Sequence, residues 1–354
     1  MISLWLDFET FATVDIKKVT TPVYTSHPDT EVLMLAWAVD DGPVSLWEHW
    51  QPFPEELRTL LNRFDVLLHA YNVPFERGLI QHKLGIYTPI ERWRDTMVEA
   101  FALSFPAGLD NVLEAVGLEK KDPRGTQLIH MFSKPAPKSH KADRYGRHNK
   151  PEEWRAFCEY CIKDVEVERN LHRWLESYGG MSEQEWGYWF MDQRINERGI
   201  PVDTKMAEGA LHIWARELAE IKEELSQITG LSPCTRGPFL NWLAGEGCFL
   251  PNTQKETIQA ALKYSYPSHV LRALELWGYK EVRALDKYKT ILRAQQNGRI
   301  HGVFQFMGAS RTRRWAGRTF QPHNLKRTTV DPNQIDTLAE VILRNDLPAL
   351  RAFW

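Results

Sequence analysis

The stretch from Pro151 to Tyr178 constrains this chain most. Pro151 suits a first helical turn and Gly179-Gly180 reads as a stop, so the spacing predicts one long helix. At ~100° per residue, its apolar stripe runs through Trp154, Phe157, Cys158, Cys161, Ile162, Val165 and Leu175. Asp164 falls inside that stripe. An ionised carboxylate there is costly unless it is paired or bound to metal. Tyr160 sits one turn earlier on the same side, so its hydroxyl and the Asp164 carboxylate can face one pocket. A Tyr–Asp hydrogen bond at a helix–sheet seam would satisfy the same pattern, and the helix alone leaves both readings open.

The residues before this helix read as α/β. Ile2, Leu4, Leu6 and Phe8 alternate with Ser3, Trp5, Asp7 and Glu9, the period of a strand. Glu31 to Val39 meets Val44 to Trp47 across Asp40-Asp41-Gly42-Pro43, a hairpin pattern. Glu55 to Phe64 places Leu57, Leu60, Leu61 and Phe64 on one helical face, and Asp65 to Ala70 follows as a short buried strand. The order predicts a mixed sheet with helices packed on it.

Two further acidic features stand out. Asp7 and Glu9 lie two apart on a strand, so both leave one face, about 7 Å apart at ~3.3 Å per residue. Paired acids at a strand end suit a hard divalent ion, which wants oxygen ligands; two solvated residues at a strand terminus are the plainer alternative. Asn72-Val-Pro-Phe-Glu76 is a strand-to-helix junction, with Glu76 near a positive helix N-terminus. Open α/β sheets commonly place their sites after such strands.

Lys134 to Lys150 holds six cations (Lys134, Lys138, Lys141, Arg144, Arg147 and Lys150) against the single acid Asp143, a basic loop. After Gly180 the texture changes: Met181 to Arg198 and Lys205 to Thr229 read as long helices, followed by shorter helical pieces to Tyr288. A boundary is expected near residue 180. From Gly298 alternation returns through Ile300, Gly302, Phe304 and Phe306, and an Arg-rich loop holds Arg311, Arg313, Arg314 and Arg318.

Composition adds exclusions. The 44 Lys plus Arg nearly cancel the 46 Asp plus Glu, so the chain is no uniformly basic nucleic-acid coat, and such binding must come from local patches. Four cysteines make no disulfide framework, and Cys158-x-x-Cys161 has no second pair to complete a zinc site. The N-terminus lacks the basic region of a signal peptide, and no apolar run approaches the ~20 residues that span a bilayer. A soluble, cytoplasmic protein is expected. No GxxxxGK[ST] or GxGxxG loop is present.

Asp7-Phe8-Glu9, Asn72 to Glu76 and Tyr160-x-x-x-Asp164 resemble, in order and spacing, the three motifs of DEDD exonucleases with a tyrosine in the third. These are the 3′→5′ proofreading exonucleases of family-A DNA polymerases. The second motif usually ends in Asp; here it ends in Glu76, as in the N-x-x-F-E pattern of bacteriophage-type members. The resemblance continues. Arg194 to Asp203 with the helix after it looks like the entry to a family-A thumb, and Lys287-Tyr288 with Gly298 to Gly302 resembles the start of the palm. Thr312-Arg313-Arg314-Trp315 to Asn324-Leu325 resembles the T-G-R…N-L segment that contacts the primer–template backbone, with Arg313 in place of the family glycine.

The resemblance implies a ribonuclease-H-like exonuclease domain over 1–180, a helical thumb-like region over 181–290, and the start of a palm over 291–354. It implies phosphodiester hydrolysis with two divalent ions, Mg²⁺ or Mn²⁺. By carry-over Asp7 bridges both, Glu9 and Asp164 complete the inner one, Glu76 helps hold the second, and Tyr160 with Glu9 orients the attacking water. The partners implied are the 3′ end of single-stranded DNA and primer–template DNA, in the cytoplasm of a bacterial host. Asn72, Phe75, Arg314, Asn324, Lys138, Lys141 and Arg144 are the candidate DNA contacts. Phe8, Phe11 and Trp93 join Phe75 as candidates for stacking on bases, with core packing as the alternative. The palm aspartate, the fingers helix and the later His-Asp pair that polymerisation needs cannot be placed. The expectation is therefore an exonuclease module of a replicative polymerase that does not itself polymerise. The rivals are a DNA-binding fragment with a degenerate site and one half of a split polymerase whose other chain, or other replication proteins, act beside it.

Overall fold

Burial on both faces explains why the first strand reads as it does. β1 (Ile2–Phe11) is the central strand of a five-stranded sheet ordered β3-β2-β1-β4-β5. In the computed structural model, which describes residues 1–137, 143–280, 285–309, 311–325, 328 and 330–353, β1 runs antiparallel to β2 (Glu31–Val39). β2 pairs in turn with β3 (Ser45–Glu48) through the expected hairpin. On its other side β1 is parallel to β4 (Val66–Ala70), which is parallel to β5 (Trp93–Asp95). The sheet is thus mixed, as the alternation of strands and helices predicts.

Short helices connect these strands: α1 (Thr21–Ser26), α2 (Glu55–Asn62) and α3 (Val73–Lys83). After β5 come α4 (Thr96–Ala102), α5 (Leu109–Val116) and α6 (Gly125–Phe132), and then the long α7 (Pro151–Ser177). Leu4, Leu6 and Phe8 pack with Leu57, Leu61, Val73 and Ile80 of α2 and α3. The opposite face of the sheet, carrying Trp5, Met34 and Ala36, packs on Leu128, Phe157, Cys161 and Val165 of α6 and α7. Period-2 geometry puts Asp7 and Glu9 on that second face, under α7.

Three expectations change in detail. Asp7 and Glu9 do not end the strand: β1 continues to Phe11, with a register shift after Glu9. Phe64 lies past the end of α2 and is fully turned to solvent, because Arg63 leaves helical geometry. The alternating stretch from Gly298 is two strands, β8 (Arg299–Ile300) and β9 (Phe304–Ala309), interrupted where Gly302 takes a left-handed φ of 67°.

The chain divides into two compact units, residues 1–201 with 294–325 and residues 202–293 with 326–354. This differs from the divisions expected near 180 and 290. α8 (Glu183–Arg198), closed by a Ser182–Glu185 capping box, belongs with the sheet because Trp186 and Trp189 are buried in the same core as Leu4 and Leu68. The first unit also holds β6 (Ile200–Pro201), β7 (Gln295–Gln296), β8, β9 and β10 (Arg314–Gly317); β10 pairs antiparallel with β9.

The second unit is helical: α9 (Thr204–Thr229), α10 (Arg236–Gly245), α11 (Lys255–Ala261), α12 (Ser268–Lys280), α13 (Asp286–Ala294), α14 (Ile335–Leu343) and α15 (Leu347–Arg351). Its core gathers Ile221, Leu225, Phe239, Leu243 and Leu274 around Trp277, whose ring stacks on Phe239 at 4.2 Å between centroids. Among the described residues, no helix is long and apolar enough to cross a membrane.

Candidate metal centre

α7 delivers Asp164 to the face of β1 that carries Asp7 and Glu9. Its buried positions include Phe157, Tyr160, Cys161, Asp164, Val165, Glu168, Leu171, His172 and Leu175, the i, i+3, i+4 rhythm of one helical face. The Cys161 thiol fixes the approach, its Sγ lying 3.5 Å from Asp7 Oδ2 and 3.6 Å from the Asp7 carbonyl oxygen. Asp7, Glu9 and Asp164 each offer a carboxylate oxygen, and the three oxygens lie within 4.8 Å of one another.

Burial and mutual repulsion set the protonation of this group. Burial, then the charge of Asp164, pushes Asp7 up to about 7. Burial pushes Asp164 up to about 6, against the opposing pull of Lys121 and of the Tyr160 hydrogen bond. Glu9 is driven up by burial and by Asp7. Asp164 Oδ1 and Glu76 Oε2 are buried with no hydrogen-bond partner among the described residues. Clustered hard oxygen donors with unused lone pairs suit an Mg²⁺- or Mn²⁺-like ion, which takes oxygen ligands and few of them from protein.

Glu76 stands beside this group, outside the three-acid cluster. It is buried, and its carboxyl is held up by burial and by the charge of Asp7. The junction that presents it is clamped by Asp95, which accepts from the backbone N–H groups of Asn72 at 3.1 Å and Val73 at 3.0 Å. The same carboxylate caps α4 through Met97 N at 3.0 Å. Asn72 itself takes the left-handed φ of 79°, tolerated by asparagine. An Asp immediately before a helix is a capping signal, so Asp95 was open to sequence reasoning.

Tyr160 is held from three sides. Its ring stacks on Phe157 at 6.3 Å between centroids, its hydroxyl bonds Asp164, and the Lys121 ammonium lies 4.8 Å from the ring centre. The fourth neighbour is Gly125 at the start of α6: a Cβ there would come within 2.2 Å of Tyr160 Cε2. Only a glycine lets the ring lie where it does. Lys121 also pairs with the Asp164 carboxylate. Nothing in the pattern Gly117-Leu-Glu-Lys-Lys121 distinguishes this lysine from a solvated one.

One and two turns further along α7, the buried polar residues are satisfied by α4. Glu168 accepts from Thr96 Oγ1 at 2.9 Å, and His172 Nδ1 meets Glu99 Oε2 at 2.7 Å. These two hold helix to helix; the turn at Asp164 does not.

The candidate DNA contacts are scattered. Phe75 is half-buried and stacks on Tyr24 at 5.9 Å, whereas Phe8, Phe11 and Trp93 are buried in the core. Arg144 pairs with Glu31 at 2.7 Å and lies 3.8 Å over the Phe11 ring. Lys138 and Lys141 lie outside the described residues. Arg314 opens β10 and is exposed, and the preceding Arg313 adopts φ 50°, the left-handed region where glycine is at ease. Asn324 ends a short 3₁₀ turn, exposed, with its amide donating to Gln321 Oε1 at 2.9 Å.

With a mixed sheet, helices on both faces and an acidic centre under α7 in place, similarity to known proteins defines the class. The chain is 33% identical over 350 residues to a DNA polymerase of Bacillus phage SP02, an alignment covering 97% of this chain and 54% of the phage protein. Its fold resembles the POL domain of Pol1 from M. smegmatis, solved in complex with DNA primer–template and dNTP. That match has a TM-score of 0.56 at 14% identity, over 93% of this chain and 53% of the other. No family model matches. The chain is related to DNA polymerases, and it spans about half the length of the relatives it matches.

Proposed function

We propose that the sheet-bearing unit is a 3′→5′ proofreading exonuclease of ribonuclease-H-like fold, within a DNA polymerase used in replication. The observation that carries this reading is the approach of Asp7, Glu9 and Asp164 oxygens to within 4.8 Å, with the Tyr160 hydroxyl bonded to Asp164. Asp7, Glu9 and Asp164 would hold divalent ions, with Glu76 beside Asp7. Such ions supply charge stabilisation to the attacking and leaving oxygens of an in-line displacement.

The chain's own groups do the rest. Burial and the neighbouring acids keep the Tyr160 hydroxyl protonated far above neutral pH, so it acts as a hydrogen-bond partner and not as a base. Having donated to Asp164, its oxygen keeps lone pairs for a water, and Glu9 accepts from that water on the other side. The water oxygen bonds to phosphorus, the P–O3′ bond breaks, and a nucleoside 5′-monophosphate leaves a strand ending in a 3′ hydroxyl. Water gives up one proton to solvent, and the departing O3′ takes one. Phe75 and Asn72, at the junction before Glu76, would hold the terminal nucleotide. Lys138, Lys141 and Arg144 would guide the single strand. Arg314 and Asn324 would contact primer–template backbone, the helical unit serving as a thumb and β8 to β10 as the first palm strands. The setting would be the cytoplasm of a bacterial host.

A 5′-labelled single strand incubated with Mg²⁺ or Mn²⁺ tests this. Stepwise shortening from the 3′ end that vanishes in Asp7→Ala is expected. DNA binding without shortening in either metal would leave a binding module with a degenerate site.

A further inference from the structure

Lys121 is the one basic group among the described residues that is paired with the acidic centre. Its ammonium is paired with Asp164 and rests 4.8 Å from the centre of the Tyr160 ring, and its side chain is only 17% exposed. The loop that carries it is pinned by the Lys121 backbone N–H to Asp110 Oδ1 at 3.3 Å. A lysine ammonium held in an ion pair with a carboxylate is charged at neutral pH. A divalent ion bound by the same carboxylates would sit against that ammonium, and two cations at such range in a partly buried site repel strongly.

We propose that Lys121 is the counter-cation of the metal-free centre, a positioning residue that holds Asp164 and Tyr160 in place and is displaced towards solvent when divalent metal binds. This rests on the metal-binding reading above. Lys121 then competes with the ion for Asp164 and lowers the affinity of the centre for metal. An ordinary structural lysine would act in the opposite sense, since its loss would loosen the site and weaken metal binding.

Two measurements on the full chain test this. Isothermal titration with Mn²⁺ at pH 8 should give about tenfold tighter binding for Lys121→Met than for wild type, with Lys121→Arg close to wild type. Circular dichroism checks that each variant is folded. Equal or weaker binding in folded Lys121→Met overturns the proposal. The second measurement uses the wild-type chain alone, so it stands even if the variant fails to fold. Acetylation by a water-soluble amine-reactive ester, read by mass spectrometry, should rise several-fold at Lys121 on adding Mn²⁺, with exposed Lys17 as the internal reference. Unchanged or reduced labelling of Lys121 in the presence of bound Mn²⁺ overturns the proposal. Absence of Mn²⁺ binding in both wild type and variant overturns the metal reading itself, and this inference with it.

Discussion

α7 and α9 are nearly the same length, 27 and 26 residues, and both carry several acids, but only α7 buries any of them, Asp164 and Glu168. On α9 three glutamates near the surface pair with arginines. Glu224 is bidentate with Arg272 at 2.7 and 2.9 Å, and Glu217 and Glu220 both meet Arg351. The hydrogen bond from Arg272 lowers the Glu224 pKa, as expected of an acid at ease in its charged form. On α7 Asp164 and Glu168 are buried, the first against Lys121 and Tyr160 and the second against Thr96, and burial drives both upward. The turn of α7 at Asp164 keeps a carboxylate where it destabilises the metal-free protein, which makes sense where that carboxylate has a ligand to bind.

Substitutions and pH test this difference between the two helices. The largest effect is expected from Asp7→Ala, which should reduce exonuclease turnover by on the order of 10³-fold, the scale of losing one electrostatic stabiliser, while leaving the far-ultraviolet dichroism intact. The contrast fails if the variant still digests DNA. Next is Gly125→Ala. The added methyl collides with the Tyr160 ring, and a displacement near the reacting groups costs roughly 10²-fold in rate. Single-turnover digestion measures it; wild-type rate would show that the ring position does not matter.

The third effect is on stability. Asp7 and Asp164 are held at about 7 and about 6 in the fold, against 3.8 ordinarily. Between pH ~4 and ~7 the folded state therefore binds more protons than the unfolded chain, and metal-free stability falls as pH rises through that window. Metal needs the deprotonated acids, so the gain in melting temperature on adding Mg²⁺ should grow from pH 6 to pH 8. Melting curves with and without Mg²⁺ at both pH values check the sign. The smallest effect belongs to α9: Arg272→Ala should lower stability by under about 1 kcal/mol, less at high salt, and leave digestion unchanged. Denaturant titration at two salt concentrations measures it.

Much of the first unit could be read from the sequence because its signals are local. Period-2 alternation located β1, the Asp-Gly turn located the hairpin, and the stripe on α7 exposed Asp164 as a misplaced charge. β1 runs two residues further than the alternation suggested because its last residues are buried on both faces, where the pattern disappears. Lys121 was illegible for a different reason. It sits in a charged loop, and only the fold brings that loop against α7. Gly125 was equally silent, since its requirement comes from a ring that lies 35 positions later. α8 falls in the first compact unit because Trp186 and Trp189 join the core of the sheet, a tertiary choice that Gly179-Gly180 does not encode.

The proposed purpose of gathering Asp7, Glu9 and Asp164 is to hold metal. Anomalous diffraction at the manganese edge, from crystals grown with Mn²⁺, should show density among those three carboxylates, with Glu76 beside it and Lys121 turned away from Asp164. Crystals saturated with Mn²⁺ that show no anomalous peak there, with Lys121 still on Asp164, would contradict it.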